Sequence, residues 1–483
     1  MDLAQIIKTD KQKCKNCNQC ISACPTKFAN SSDGNYVRVN DNLCIGCGAC
    51  VVACTHNARV NVDDFEEVLH ALRKGEKFVV FCDPAVISNF PGEFLNLNGW
   101  LKSLGAKIFF DVSFGAELAA RSYVQYIREK KPKLLISQSC PVISNYIQVY
   151  KSELLPFLAP INSPLIHSMK MVKEFYPHYG DYKFMAISAC AARKRELIET
   201  GIGDFNVTIE SLKKYLTKQG IALSNYPMVN YTNELPERGV GFFKPGGLTK
   251  TLEREMPDIA NNARCLSGTE IVFPYLDKLF DAFEKKAAPL LVDLLNCKGG
   301  CNAGTGTNSK PENIDELENY INQRMQELKK KYQTERNDKI SIRMLNKIIR
   351  TYWNSKIYER KYKDLSNIQE EEIKIPDDKN LKKIFATMYK FDQKDIQNCA
   401  CCGYNSCKNM AVAIHNNYNI KENCFFYLKD EVVDLNKNAE KIIKDKEKII
   451  KDKDKEITEY KQEIVTQSQS LLSSIQKMRN ILE

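Results

Sequence analysis

The sequence predicts a multidomain α/β chain with cysteine-rich modules near both ends and a long helical tail. Three observations carry that expectation. Cysteines fall into tight, regularly spaced groups at both ends. The middle holds short apolar runs that stop at loops, such as Leu134-Leu135-Ile136 before Ser137, as buried strands do. The tail repeats an apolar residue every seven positions. The 483 residues are enough for several domains. With 43% hydrophobic and 27% charged residues, a buried core is expected. No run of 18 apolar residues occurs, so no membrane span is expected. The start, Met1-Asp2-Leu3-Ala4-Gln5, lacks a basic stretch leading into an apolar one, so no secretory signal is expected either. A cytoplasmic location follows, and there the 19 cysteines point to metal rather than disulfides.

The first element is a domain over 1–62. Cys14, Cys17, Cys20 and Cys24 follow C-x2-C-x2-C-x3-C, with Pro25 next. Cys44, Cys47, Cys50 and Cys54 repeat the spacing, with Thr55 in place of the proline. This is the bacterial two-cluster ferredoxin pattern, in which the fourth cysteine of each run ligates the other cluster. Cys14, Cys17, Cys20 and Cys54 are therefore expected to hold one [4Fe–4S] cluster. Cys44, Cys47, Cys50 and Cys24 are expected to hold the second. Gly46, Gly48, Ala49 and Ala53 leave room for cluster and backbone. Zinc also takes paired cysteines, but two matching runs of four favour the cubanes.

The middle domain, expected over 63–305, places cysteines at strand ends, where α/β sheets hold cofactors. Cys140 lies in Ser137-Gln138-Ser139-Cys140-Pro141, and Cys190 in Ser188-Ala189-Cys190-Ala191-Ala192-Arg193. Cys297 and Cys301 bracket Lys298-Gly299-Gly300, where paired glycines let backbone approach a bulky group. Cys82 and Cys265 read as small core residues.

These segments resemble the [FeFe]-hydrogenases, whose active-site domain carries T-S-C-C-P, M-P-C-x-x-K and E-x-M-x-C-x-G-G-C. The resemblance extends to Phe78-Val79-Val80, Asp83-Pro84-Ala85, Phe114-Gly115-Ala116-Glu117, Leu154-Leu155-Pro156, Ser163-Pro164 and a helix start at Gly246-Gly247. It implies that Cys140, Cys190, Cys297 and Cys301 hold a [4Fe–4S] cluster. It also implies that Cys301 bridges to a two-iron centre, completing an H-cluster-type cofactor.

The departures concern protons. The residue before the first cluster cysteine is a second, proton-passing cysteine in efficient members; here it is Ser139. The glutamates of the family's proton path align with Tyr123 and Tyr126, and its serine with Ala159. None of these shuttles protons well at neutral pH. Tyr123 and Tyr126 are expected as core residues on a helix. Asp111 and Glu117 are read either as surface acids or as parts of another proton route. The lysine that bonds a cyanide aligns with Arg193; the methionines of the signatures align with Ser188 and Leu295, and the glutamate with Asp293. Ser139 and Arg193 are thus the candidate catalytic positions.

Residues 306–375 read as a basic helical linker. From Arg324 to Asp364 there are 13 Lys or Arg against 5 Asp or Glu, with Tyr352, Trp353, Tyr358 and Tyr362 interleaved. A solvated helix or docking onto an acidic partner is favoured over nucleic acid. Ile373 to Asp378 reads as a loop, because Pro376 stops a helix.

A small α-rich domain over 376–427 carries Cys399, Cys402, Cys407 and Cys424, spaced C-x2-C-x4-C-x16-C, with a helix over 408–415. It resembles the small FeS domain of corrinoid iron–sulfur proteins, which implies a third cubane outside the active site; a zinc knuckle is the alternative. Cys401 is a spare thiol. Over 428–483, Ile443, Ile450, Ile457, Ile464, Leu471 and Met478 stand seven apart. Lys446, Lys453, Gln467 and Ser474 interrupt the companion seam positions. A parallel coiled-coil homodimer is the expectation, and a helix folded back on its own chain the alternative.

Altered proton path, extra cluster domain and helical tail together resemble the sensory [FeFe]-hydrogenases. The expectation is a sensor of hydrogen or redox state with slow hydrogen turnover and a signalling partner reached through the coiled coil. The alternatives are a working hydrogenase exchanging electrons with ferredoxin or another low-potential carrier, and a non-enzymatic Narf-like iron–sulfur protein.

Overall fold

Parallel strands with helical crossovers dominate the middle of the chain, as apolar runs ending in loops require. In the computed structural model, which describes residues 3–307, 313–332 and 338–482, four of them form one sheet. Its order is Ile108–Asp111, Phe78–Cys82, Lys183–Ser188, Phe205–Thr208, all parallel. A second parallel sheet has the order Ala263–Ser267, Leu291–Leu295, Leu135–Ile136. The central strand Phe78–Cys82 is buried at every position. That is what a strand covered on both faces looks like. Val79, Phe81, Phe110 and Phe184 pack on one side of the first sheet, and Phe78, Val80, Phe109 and Met185 on the other.

The N-terminal domain is built on two short antiparallel pairs, Ile7–Thr9 with Arg59–Asn61 and Asn30–Ser32 with Val37–Val39. Gln19–Ala23 and Ala49–Val52 are single helical turns. Each starts from a left-handed residue, Asn18 and Gly48. A side chain at position 48 would collide with Thr305, 2.2 Å away. That close approach fixes the domain on the loop that carries Cys297 and Cys301.

The chain forms two compact units, one of residues 1–381 and 397–420, the other of 382–396 and 421–483. The four-cysteine segment is therefore divided, with Cys399, Cys402 and Cys407 in the first unit and Cys424 in the second. In the second unit the helix Phe425–Leu482 runs for 58 residues with its seam residues exposed. Tyr427 stacks on Tyr389 at its start, 5.4 Å between centroids.

Three expectations are corrected. The basic segment is helical over Ile314–Tyr332 and Asp338–Tyr352, but it is not a solvated linker. Leu345, Ile349 and Tyr358 are buried in the main core, and Trp353 donates its ring N–H to Ser122, 2.8 Å away. Asp111 and Glu117 are not surface acids. Asp111 caps the helix Val112–Lys130 by accepting Ser113 N–H at 2.8 Å. Glu117 accepts the N–H groups of Glu237, Arg238 and Gly239 and pairs with Arg254 at 2.6 Å. Cys265 is exposed, not a core residue, because it sits on the edge strand Ala263–Ser267. No helix among the described residues is long and apolar enough to cross a membrane.

Candidate iron–sulfur active site

Three of the four candidate cysteines of the middle domain follow a parallel strand. Cys140 follows Leu135–Ile136, Cys190 follows Lys183–Ser188, and Cys297 follows Leu291–Leu295. Cys301 opens a short 3-10 turn six residues beyond that last strand. The four thiols come together. Burial raises the pKa of Cys190, and the neighbouring Cys140 and Cys297 thiols raise it further. Burial holds Cys301 well above its ordinary value, helped by Asp83, Cys297 and Cys140. Cys297 is pushed up to about 11.

The loop that brings Cys297 and Cys301 back to Cys190 depends on glycine. Gly300 has φ +71°, and a side chain there would meet Phe243 O at 2.5 Å. A side chain at Gly304 would meet Ala189 O at 2.4 Å.

Thiols whose pKa is raised in this way do not ionise unaided, so the donor set fits a group that brings its own positive charge. The same chemistry holds in the N-terminal domain. Cys24, Cys44, Cys47 and Cys50 line one small cavity. Burial pushes the Cys50 thiol up, and Arg59, which donates to Cys20 Sγ at 3.2 Å, only partly opposes that. No group of three or more His, Cys, Asp or Glu among the described residues is spaced for a single metal ion.

Cys402 and Cys407 are buried, and their loop lies on the N-terminal domain. A side chain at Gly403, φ +90°, would meet Ile21 at 2.8 Å, and Tyr404 lies 5.7 Å from Phe28. Lys27 has its pKa lowered by burial, while the Cys24 and Cys402 thiols beside it oppose that.

Ser139 donates its hydroxyl to Gln138 Oε1 at 3.1 Å. Tyr123 donates to the same oxygen at 3.2 Å, and burial puts its phenol far above the ordinary value. Tyr126 packs at the edge of the core, and Ala159 is buried. Arg193 is buried, donates to Ser139 O at 3.1 Å and pairs with Glu196. Burial opposes its charge, but Glu196, Cys190, Asp83 and Cys301 outweigh that and raise its pKa. Asp293 accepts the N–H and the hydroxyl of Thr249, each at 3.1 Å. Ser188 bonds Asn206 at 2.7 Å, and Leu295 is buried.

Sequence reasoning missed Gln138, Asp83 and Glu196 as site residues. Gln138 and Asp83 lie inside motifs, but only packing shows that Gln138 takes the hydroxyls of Ser139 and Tyr123 and that Asp83 lies near Cys301 and Arg193. Glu196 carried a weaker signal, an acid three residues after Arg193 on one helix face.

Residues 76–305 match the family model of the iron-only hydrogenase large subunit, C-terminal domain. That middle segment of the chain belongs to the iron-only hydrogenase family. Residues 6–55 match a 4Fe-4S dicluster domain, so the chain is a hydrogenase-like iron–sulfur protein with an electron-transfer domain. Among curated proteins, one component of the polysulfide reductase of Wolinella succinogenes is 41% identical over 51 residues, 10% of this chain and 27% of that protein. One component of the tetrathionate reductase of Archaeoglobus fulgidus is 40% identical over 48 residues, 10% of this chain and 23% of that protein. The chain thus spans about a quarter of the length of these relatives. A solved structure of a variant of the [FeFe]-hydrogenase HydA1 from Chlamydomonas reinhardtii is 17% identical, covers 63% of this chain and 99% of that one, and has a TM-score of 0.46. A structure reporting stepwise [FeFe]-hydrogenase H-cluster assembly is 16% identical, covers 63% and 100%, and has a TM-score of 0.45.

Proposed function

We propose that this protein is a sensory member of the hydrogenase family, reading hydrogen or redox state with slow hydrogen turnover in the cytoplasm. In this reading Cys140, Cys190, Cys297 and Cys301 hold a cubane, and Cys301 also bridges to a two-iron centre. That centre, when bound, supplies the metal chemistry that interconverts protons and dihydrogen. The chain's own residues set the proton supply. Ser139 stands where a thiol would pass protons, and its hydroxyl is committed to Gln138. A hydroxyl holds its proton far more tightly than a thiol and relays poorly unless a base activates it. The hydroxyl that shares Gln138 Oε1 with it is that of Tyr123, itself buried. That single observation carries the reading. Arg193 keeps a positive charge against the site, as the family lysine does, but in a planar head tied to Glu196.

Electrons enter through the clusters on Cys14, Cys17, Cys20 and Cys54 and on Cys44, Cys47, Cys50 and Cys24, from ferredoxin or another low-potential carrier. The third outer cluster is read from the spacing of Cys399, Cys402 and Cys407. The packing of the Cys402 loop on the N-terminal domain supports an electron path between them. The tail joins two copies of the chain and presents a signalling partner's surface. Neither a membrane nor nucleic acid enters this reading.

The experiment is infrared spectroscopy of protein matured with the two-iron cofactor, alongside a hydrogen assay. Bands of bound CO and cyanide with slow turnover are expected. Turnover within about tenfold of typical enzyme rates would favour the working hydrogenase instead, and a protein with cubanes but no such bands would be the Narf-like one.

A further inference from the structure

The segment after the hydrogenase domain closes on the site from behind. Tyr358 stacks on His167 at 4.3 Å between centroids. Arg360 follows, its guanidinium 5% exposed. One of its amino groups bonds Glu196 at 2.9 Å and the other bonds Glu199 at 2.8 Å. Tyr362 lies over that guanidinium at 4.6 Å. Glu196 is fully buried and shared, because its other oxygen holds Arg193. Arg193 in turn donates to Ser139 O. A carboxylate divided between two guanidiniums holds each more loosely than it would hold one alone.

A second arm reaches the same residue. Asn162 donates to the carbonyls of Tyr358 and Glu359, at 2.9 and 3.0 Å. The carbonyl of Asn162 accepts from Gln138 at 2.9 Å. Gln138 then takes the Ser139 hydroxyl. Two hydrogen-bond paths from three consecutive residues, 358–360, therefore converge on Ser139.

We propose that Arg360 is a positioning residue. By competing with Arg193 for Glu196, it sets how closely the Arg193 guanidinium is held against Ser139 and the cysteines. The inference rests on the reading that Cys140, Cys190, Cys297 and Cys301 hold a cubane. It goes beyond that reading because it assigns control of the site to a residue outside the matched hydrogenase domain, 76–305.

The test is a redox titration of that cubane, followed by its electron paramagnetic resonance signal, in the full chain loaded with cubanes only. In Arg360→Met, Glu196 is left to Arg193 alone and draws it from the site. Positive charge recedes from Cys190 and Cys301, and the midpoint potential is expected to fall. In Glu199→Gln, Arg360 turns wholly to Glu196, Arg193 is released toward the site, and the potential is expected to rise. Arg360→Lys keeps the charge and is expected to recover part of the loss. Glu199 is 23% exposed, so its neutral variant tests the proposal even if Arg360→Met fails to fold. Equal potentials in all variants, or shifts of the same sign in Arg360→Met and Glu199→Gln, overturn the proposal. Absence of the signal from the unaltered chain sinks the cubane reading and this inference with it.

Discussion

Ser139 and Tyr123 both donate to Gln138 Oε1, at 3.1 and 3.2 Å, so the positions of a proton path are tied into a buried amide. General acid–base groups typically contribute about 10²–10⁴ in rate. Ser139→Cys is therefore expected to raise hydrogen turnover of the matured protein at least about tenfold. An unchanged rate with the infrared bands intact would remove the relay argument. Asp293 gives a pH prediction. Burial raises its carboxyl from 3.8 to about 6. The folded state then holds the proton more tightly than the unfolded chain. This acid costs nothing below about pH 4, and its cost grows until about pH 6 and stays level above, on the order of 3 kcal/mol. Asp293→Asn removes the ionisation and leaves an oxygen for Thr249. Thermal unfolding should show the variant stabilised at pH 7.5, and about half as much at pH 5. The same gain at both pH values would contradict the assignment.

Among the elements, the loop from Cys297 to Gly304 is the most exacting. Gly300→Ala must adopt a positive φ and push against Phe243 O, 2.5 Å from the added carbon. The site is expected to lose its cubane while the N-terminal clusters stay. Reconstituted protein should bind about four fewer irons per chain, and an unchanged iron content would show that the loop has more slack than its geometry implies. The elements that sequence made legible were those fixed by short-range spacing. The cysteine runs, the strand-end positions of Cys140, Cys190 and Cys297, and the helix start at Gly247 all depend on neighbours a few residues away. What sequence could not show was long-range compensation. Trp353 reads as a surface aromatic until Ser122 takes its N–H. Glu117 reads as a surface acid until Arg254 and three backbone N–H groups neutralise it in the core. The basic stretch owes its misreading to the same cause, since Arg360 finds its carboxylates more than 160 positions earlier.

At the scale of the whole molecule, the same segment that backs the site continues to Glu372. That carboxylate binds Asn40 and Asn42 of the N-terminal domain, at 2.7 and 3.1 Å, and accepts from Tyr418 at 2.9 Å. One stretch of chain thus touches the active-site region, the ferredoxin-type domain and the segment just after the helix Cys407–His415. The tail is the other long-range feature. Its helix is about 87 Å long at 1.5 Å per residue, and Ile450 and Ile457 are 58% and 49% exposed. A lone helix with that apolar row gains by pairing with a second copy. Ile450→Lys combined with Ile457→Lys keeps good helix-forming residues and charges the seam, so sedimentation should show a dimer becoming a monomer. A monomer before substitution would refute the coiled coil.

The proposed sensor needs a hydrogenase-type centre used for sensing rather than for turnover. The most direct measurement is the infrared spectrum of the matured full chain, recorded under argon and then under hydrogen. CO and cyanide bands that shift under hydrogen are expected, while turnover stays far below the typical enzyme range. A spectrum without those bands, or one that hydrogen leaves unchanged, would contradict it.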